Sequence, residues 1–419
     1  MALQLLRFCN ITARSSFLLG SSYTHHNLIR SYVSKHLFLK EKCKVFSKGI
    51  GLFRGSTTFI SAQPITKIPS KSSKLIGVWL LTCSGMVFTT VIIGGVTRLT
   101  KSGLSIVDWH LFKEFPPLTK VQWEEEFKKY QQYPEYKITN KDMTLEEFKW
   151  IWYMEYVHRM IGRTVGGIYF LPAAFFWYKG WFNKGMKIRA VAFGSLLLFQ
   201  GLLGWYMVKS GLEEKPESDA VPRVSQYRLA AHLGTAFVLY TLMLWSGLNH
   251  ILPPQQVPVS AKLRTFWKCA HATKSVIFLT ALSGAFVAGL EAGLVYNSFP
   301  KMADKWIPSD LLAFSPRLKN FTENPTTVQF DHRILGETVF CAVTGMWIFS
   351  RKVVLPSRAR LAVNCLFAIG LLQVSLGIAT LLLYVPKPLA ATHQAGALTL
   401  LSIAVWLTHE LKFLRHIPK

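Results

Sequence analysis

Residues 158–165 read His158-Arg159-Met160-Ile161-Gly162-Arg163-Thr164-Val165, and 174 residues later 332–339 read His332-Arg333-Ile334-Leu335-Gly336-Glu337-Thr338-Val339. Histidine, arginine, glycine, threonine and valine recur in register, so the chain contains an internal repeat. Two further matches extend it. Gln200-x-x-x-Gly204 pairs with Gln373-x-x-x-Gly377, and Leu229-Ala230-Ala231-His232 echoes Leu389-Ala390-Ala391-Thr392-His393.

All of these matches lie in or at the edge of apolar runs. Half of the 419 residues are hydrophobic, 13 are Trp, and mean hydropathy is +0.26. Charged residues make up 17%, against about 25% in a soluble domain. The apolar segments cover about 77–97, 152–178, 190–209, 228–250, 270–291, 332–350, 361–384 and 389–411. Runs of about 20 residues match a hydrocarbon core of roughly 30 Å, where helices or closed barrels satisfy the backbone. The period-two alternation of a barrel is absent. The expected fold is all-α, a membrane protein with eight transmembrane helices arranged as two tandem four-helix bundles. An even number of spans per half makes the internal repeat parallel rather than inverted.

The formal net charge of +26 suggests nucleic acid until its placement is read. Residues 1–76 hold twelve Lys/Arg against the single acid Glu41. Much of the rest lies in short links: Lys179, Lys184, Lys187 and Arg189; Lys262, Arg264 and Lys268; Arg351, Lys352, Arg358 and Arg360. The alternate links differ, with nine basic and nine acidic residues in 98–150 and an excess of acid in 210–227. Such a bias sets membrane orientation, so membrane lipid is the expected partner and nucleic acid is not.

The first thirty-odd residues are rich in Arg, Ser and Leu without an acid, the composition of a mitochondrial transit peptide. The chain then divides into a transit peptide (1–32), a flexible matrix lead (33–74), an N-terminal half (75–250), a matrix linker (251–268), a C-terminal half (269–411) and a matrix tail (412–419). The expectation is a multi-pass protein of the mitochondrial inner membrane with both termini in the matrix. Six cysteines are scattered without metal-ligand spacing and read as small apolar residues. Within 98–150, Thr119-x-x-Gln122 and Thr144-x-x-Glu147 have capping-box spacing. Trp123, Phe127 and Tyr130, then Leu145, Phe148 and Trp152, follow at helical spacing, which predicts helices lying on the membrane surface or on the bundle.

His158, His232, His332 and His393 fall within about a turn or two of the start of segments 2, 4, 6 and 8, two per half and at one depth. Ionisable groups inside a membrane are costly and usually functional. Zinc would want a third or fourth ligand, whereas heme iron takes two axial ligands and bundle interiors hold such cofactors. Gly162, Gly166, Gly234, Gly336 and Gly396 near the histidines admit either a flat macrocycle or close helix packing. Arg159 and Arg333 are placed to pair with heme propionates or to snorkel to the surface. The other eight histidines lack the pattern and are assigned to no cofactor.

The halves differ at one position. Glu155 precedes His158 by three residues and shares its helical face, whereas the repeat puts Gln329 before His332. A carboxylate could stabilise positive charge or move protons, or simply favour a helix start. The asymmetry points to chemistry in the first half, with Glu155 as catalytic candidate, and a permanent redox cofactor in the second.

At this point the chain resembles the heme A synthase family, in its mitochondrial branch. The resemblance is carried by Gly94-Gly95-Val96-Thr97-Arg98-Leu99-Thr100-x-Ser102-Gly103-Leu104-Ser105, Glu155-Tyr156-Val157-His158-Arg159 and Arg228-Leu229-Ala230-Ala231-His232. The second half adds Gly289-Leu290-Glu291-Ala292-Gly293-Leu294-Val295-Tyr296-Asn297-Ser298-Phe299-Pro300, Asp331-His332-Arg333 and Ala391-Thr392-His393-Gln394. It covers roughly 75–411. The resemblance implies heme b as cofactor in one half, heme O as substrate in the other, and two successive oxidations of a ring methyl to the formyl of heme A. With the repeat, it makes His158, His232 and Arg159 the substrate-heme residues and His332, His393 and Arg333 the heme b residues, the four histidines being axial iron ligands. It also implies dioxygen as oxidant, a matrix ferredoxin system as electron donor, and heme O synthase and cytochrome oxidase assembly factors as partners, with a homo-oligomer left open. Some bacterial relatives carry cysteine pairs in the outward loops; here 98–150 and 293–331 contain none. A two-heme transmembrane electron carrier would instead need equivalent pockets, and a parallel-repeat transporter would need polar residues at the midplane.

Overall fold

The computed structural model describes residues 70–110, 115–212, 224–253, 255 and 260–412; the transit peptide, nearly all of the lead and residues 413–419 lie outside the described residues. Among these, eight helices have 24 residues or more: α1 (Lys71–Leu99), α2 (Leu145–Tyr178), α3 (Lys184–Leu212), α4 (Gln226–Ile251), α5 (Ala261–Leu290), α6 (Pro325–Ser350), α7 (Ser357–Leu382) and α8 (Lys387–Glu410). The described residues form no strand, only an isolated bridge between Met302 and Lys305.

Each helix starts two to nine residues before its apolar run. In four of them capping adds the polar turns: the side chains of Ser70, Thr144, Ser260 and Asn324 accept from backbone N–H groups of the first turns of α1, α2, α5 and α6. Residues 71–74 of the expected lead and 261–268 of the expected linker are therefore helical. Because α2 begins at Leu145, His158 stands thirteen residues inside it, deeper than a turn or two, whereas His232, His332 and His393 stand six or seven residues inside theirs.

Six of the eight helices, all but α2 and α6, are long and apolar enough by composition to cross a membrane. The two that fall short carry the histidine–arginine repeat, with Glu155, Arg159 and Arg163 on α2 and Asp331, Arg333 and Glu337 on α6.

Helix packing follows the repeat. α1 packs on α2 and α4, and α3 on α2 and α4; in the same way α5 packs on α6 and α8, and α7 on α6 and α8. The two sets meet where α4 touches α5 and α8 and where α1 touches α8. In the connection between α1 and α2, helices Lys120–Tyr130 and Pro134–Thr139 form, and both capping boxes close as expected. Trp123, Tyr130, Phe148, Ile151 and Trp152 bury one another with Ile106, so the Lys120–Tyr130 helix sits on the first turns of α2.

Association in lipid rests on close contact rather than on expulsion of water. α1 and α4 cross where Gly77 meets Gly247. A Cβ on Gly77 would lie 2.6 Å from Ile251 Cγ1, and one on Gly247 would lie 2.7 Å from Leu81 Cδ2. Gly77→Ala and Gly247→Ala should each lower the stability of the detergent-purified protein by roughly 1–3 kcal/mol through overpacking. Gly85→Ala, whose Cβ would meet nothing within 4 Å, should not. Equal melting temperatures for all three variants would show that this crossing does not limit packing.

Candidate functional site: a cavity lined by four histidines

All four repeat histidines line one cavity of about 1690 Å³, together with Glu155, Arg159, Gln329 and Arg333. A single ligand pocket is typically about 300–1,000 Å³, so this one has room for two large ligands. In the second half the His332 and His393 ring centroids are 6.5 Å apart with planes at 86°. Metal–imidazole bonds of about 2 Å are compatible with that spacing, so the pair would be able to hold one heme iron as two nitrogen ligands.

Ser283 Oγ lies 2.7 Å from His332 Nδ1 and 2.8 Å from the Thr280 carbonyl. With its hydrogen on that carbonyl, the serine would receive Nδ1–H of His332. Nε2 of His332 would then be left with its lone pair for a metal, which is how an outer hydrogen bond orients a ligand histidine.

The histidines reach the cavity because glycines make room on the neighbouring helix. A Cβ on Gly94 of α1 would lie 2.8 Å from His158 Cε1, and one on Gly377 of α7 would lie 2.9 Å from His393 Cε1. Gly204 of α3 and Gly284 of α5 take the same places beside His232 and His332, at 3.4 and 3.5 Å. One turn before Gly377, Gln373 Nε2 donates to the His393 backbone carbonyl at 2.8 Å. Gln200, with its amide oxygen facing Thr235, reaches the His232 carbonyl at 3.2 Å in the matching way. The Gln-x-x-x-Gly repeat is thus a seat for a histidine. Of the glycines singled out in the sequence, Gly162, Gly166 and Gly336 stand at open space on the cavity wall, while Gly234 and Gly396 pack against Leu282 and Gln373. Ser283, Gly284 and the role of Gly94 escape sequence reading because only the helix register brings these residues to the imidazoles.

The two arginines share a frame but not a charge state around them. Arg159 Nη2 donates to the Ile106 carbonyl at 2.8 Å and Arg333 Nη2 to the Tyr296 carbonyl at 2.9 Å. Glu155, 2% exposed, takes Arg159 Nη2 and Nε on Oε1 at 2.7 and 3.1 Å. Its other oxygen takes Ser105 Oγ at 2.8 Å and Ile106 N at 2.9 Å. The carboxylate therefore anchors the Ser102–Ile106 loop while lining the cavity. Gln329 accepts only one long bond, 3.4 Å, from Arg333 Nη2, and Arg333 Nε and Nη1 are buried without a partner. Unsatisfied buried guanidinium donors call for an anion, and heme propionates are anions of the right kind.

Among the described histidines outside the repeat, two bond to side chains away from the cavity. His409 Nε2 pairs with Asn249 Oδ1 at 3.1 Å, and His250 Nδ1 with Ser73 Oγ at 2.9 Å.

Residues 77–405 match the family model COX15-CtaA, described as cytochrome oxidase assembly protein. The chain is 61% identical over 361 residues to a mouse protein named heme A synthase COX15, covering 86% of this chain and 87% of that one. An Arabidopsis thaliana protein of the same name is 45% identical over 345 residues, 82% of this chain and 76% of that protein. A Schizosaccharomyces pombe protein named heme A synthase-mitochondrial ferredoxin fusion protein is 36% identical over 448 aligned residues, 96% of this chain and 72% of that protein.

The glycine seats can be graded. Gly377→Ala should displace His393 and lose the second-half pigment, and Gly94→Ala should disturb His158, because both Cβ contacts would fall under 3.0 Å. Gly204→Ala and Gly284→Ala, with ordinary contacts, should keep their pigment. Absorption spectra of the four purified variants test this, and equal pigment in all four would show that the seats do not position the rings.

Proposed function

The chain belongs to the COX15-CtaA family of cytochrome oxidase assembly proteins, and from that premise we propose that it is a heme A synthase, an oxidoreductase converting a ring methyl of heme O into the formyl group of heme A by two successive oxidations. His332 and His393 hold heme b and Arg333 receives its propionates; His158, His232 and Arg159 hold heme O. The 6.5 Å His332–His393 pair is the observation that supports this beyond the family name. Bound heme supplies redox-active iron and a place for dioxygen to react.

The chain's own residues do the rest. Ser283 keeps the Nε2 lone pair of His332 available, and Arg333 offers two unpartnered N–H groups at the cavity wall. Glu155 is the catalytic residue: a fixed negative charge three residues from a substrate-heme ligand stabilises positive charge developing at the methyl carbon. Gln329, its counterpart, carries no charge, which favours the first half as reaction site and argues against an electron carrier with equivalent pockets.

All eight helices cross the mitochondrial inner membrane as two tandem four-helix bundles, residues 75–250 and 269–411, with both termini in the matrix and the histidine ends toward the intermembrane space. Pairing of Arg159 with Glu155, and of Arg333 with Gln329 and a propionate, lowers the cost of placing α2 and α6 in lipid. The fusion relative's name supports a matrix ferredoxin as electron donor, and the family description is consistent with heme O synthase and other assembly factors as partners.

Heme extracted from the purified protein should contain heme b together with heme O or heme A, and His332→Ala should lose heme b and activity together. Heme b alone, at two per chain, would favour the electron carrier; an unchanged heme b spectrum in His332→Ala would remove the ligand assignment.

Glu155→Gln should fold, since Gln329–Arg333 already occupies the equivalent place in the second half. Its heme A formation should drop on the order of a hundredfold, the scale of one oriented charge at about 3 kcal/mol, with heme O accumulating. Heme A made at the wild-type rate would reduce Glu155 to an anchor for the Ser102–Ile106 loop.

A further inference from the structure

A second carboxyl stands at the same cavity and no role has been given to it. Glu135 belongs to the short helix Pro134–Thr139 between α1 and α2 and is 6% exposed. It lines the cavity with Arg98, Lys101 and Glu155. Tyr130 Oη, fully buried, donates to Glu135 Oε2 at 3.1 Å, and Asn140 Nδ2, at the edge of the loop, donates to Tyr130 Oη at 2.7 Å. Where Glu155 faces a guanidinium, Glu135 faces a phenol. Among the described residues no salt bridge reaches it.

A buried carboxyl without a paired cation is costly to ionise. Burial pushes Glu135 up to about 8; the hydrogen bond from Tyr130 and the charges of Arg98 and Lys101 pull the other way, and the charge of Glu155 adds to the rise. Four carboxyls line the cavity, Glu135, Glu155, Glu291 and Glu337, and Glu291 pairs with Lys101; Glu135 and Glu155 have the opposed surroundings in which one group keeps a charge and another carries a proton.

We propose that Glu135 is the residue through which protons pass between the outer loops and the reaction cavity, a role that rests on the heme A synthase reading above. Each hydroxylation of a carbon by dioxygen uses one O2, two electrons from the reductant and two protons, and yields one water. Two rounds at the same carbon, followed by loss of water from the geminal diol, leave the formyl group. The ferredoxin-class reductant brings electrons without protons, and most of the cavity wall is apolar, so protons reach the reacting carbon by way of the few polar side chains that line it, Glu135 among them. Glu135 gives its carboxyl proton into the cavity and regains one from the aqueous loop side. Tyr130 is a positioning residue that holds Oε2 in place throughout.

Glu135→Gln keeps the shape and the acceptor for Tyr130 while removing the proton. The wild type should show an infrared band of a protonated carboxyl that fades as pH rises through about 8, and the Gln variant should lack it while retaining heme. Heme A formation in the variant should fall on the order of a hundredfold, and the wild-type decline of rate across the same pH range should disappear. Tyr130→Phe offers a check without touching the carboxyl: loss of a hydrogen bond to the charged form should carry the infrared midpoint to higher pH. A carboxyl band unaltered by Glu135→Gln, or heme A made at the normal rate with the normal pH profile, overturns the proton role alone. A wild-type protein that contains heme b yet makes no heme A overturns the enzyme reading and this one with it.

Discussion

Four imidazoles each lie against the bare Cα of a glycine on the neighbouring helix, and this contact sets how the helices of each half can stand. In a membrane, side chains gain little by leaving lipid for protein, so close van der Waals fit and satisfied polar groups carry association. An imidazole on a glycine supplies the fit, and the glutamine that bonds the histidine's own carbonyl supplies the polar tie. The contact also links the halves. Gly94 meets His158, while a side chain on the next residue, Gly95, would overlap the amide of Gln394, which donates to the Val91 carbonyl at 2.8 Å. Gln394 follows His393, so one turn of α1 touches a histidine of one half and the neighbour of a histidine of the other.

Buried charge is the second constraint. Arg159 and Arg333 stand at equivalent places, yet one is matched by a carboxylate and the other by an amide. Breaking a buried pair by removing one partner typically costs about 3–5 kcal/mol, because a desolvated charge is left behind. Within the protein itself, Arg333 Nε and Nη1 meet no acceptor. A propionate of the heme proposed for the second half would supply those donors with a partner. In the first half the carboxylate is built in, so the charge there is neutralised before any ligand arrives.

Much of this was legible in the sequence, for reasons that differ by element. The apolar runs located all eight long helices because length and composition suffice for that, and the capping boxes at Thr119 and Thr144 predicted the extra turns around them. Helix starts were read too late, since a polar capped turn contributes nothing to an apolar run. The histidines emerged from duplication, which aligns Glu155 with Gln329 without any structure. Gly204 and Gly377 emerged with the repeat and Gly94 with the family stretch, but their role as seats did not, nor did Gly284 and Ser283, because these contacts act across helices and depend on register. Glu135 was one of nine acids in a charge-balanced connection, and only packing by Tyr130 and the cavity wall separates it from the other eight.

The seats also distinguish the two halves in a way that bears on the proposed chemistry. If Gly94 and Gly284 are equivalent, the residue before each is Ile93 in the first half and Ser283 in the second. Ser283 Oγ stands 2.7 Å from His332 Nδ1, and a ligand histidine anchored by such an outer bond would lose less freedom when iron binds. Isoleucine offers His158 no such bond. A heme that stays gains from a preset ligand, whereas a heme that must arrive as substrate and leave as product is better served by one that is less tightly prepared. Duplication provided two copies of the same cage. On the proposed assignment, serine or isoleucine beside the histidine, and glutamine or glutamate beside the arginine, would separate a site that keeps its heme from a site that passes one on.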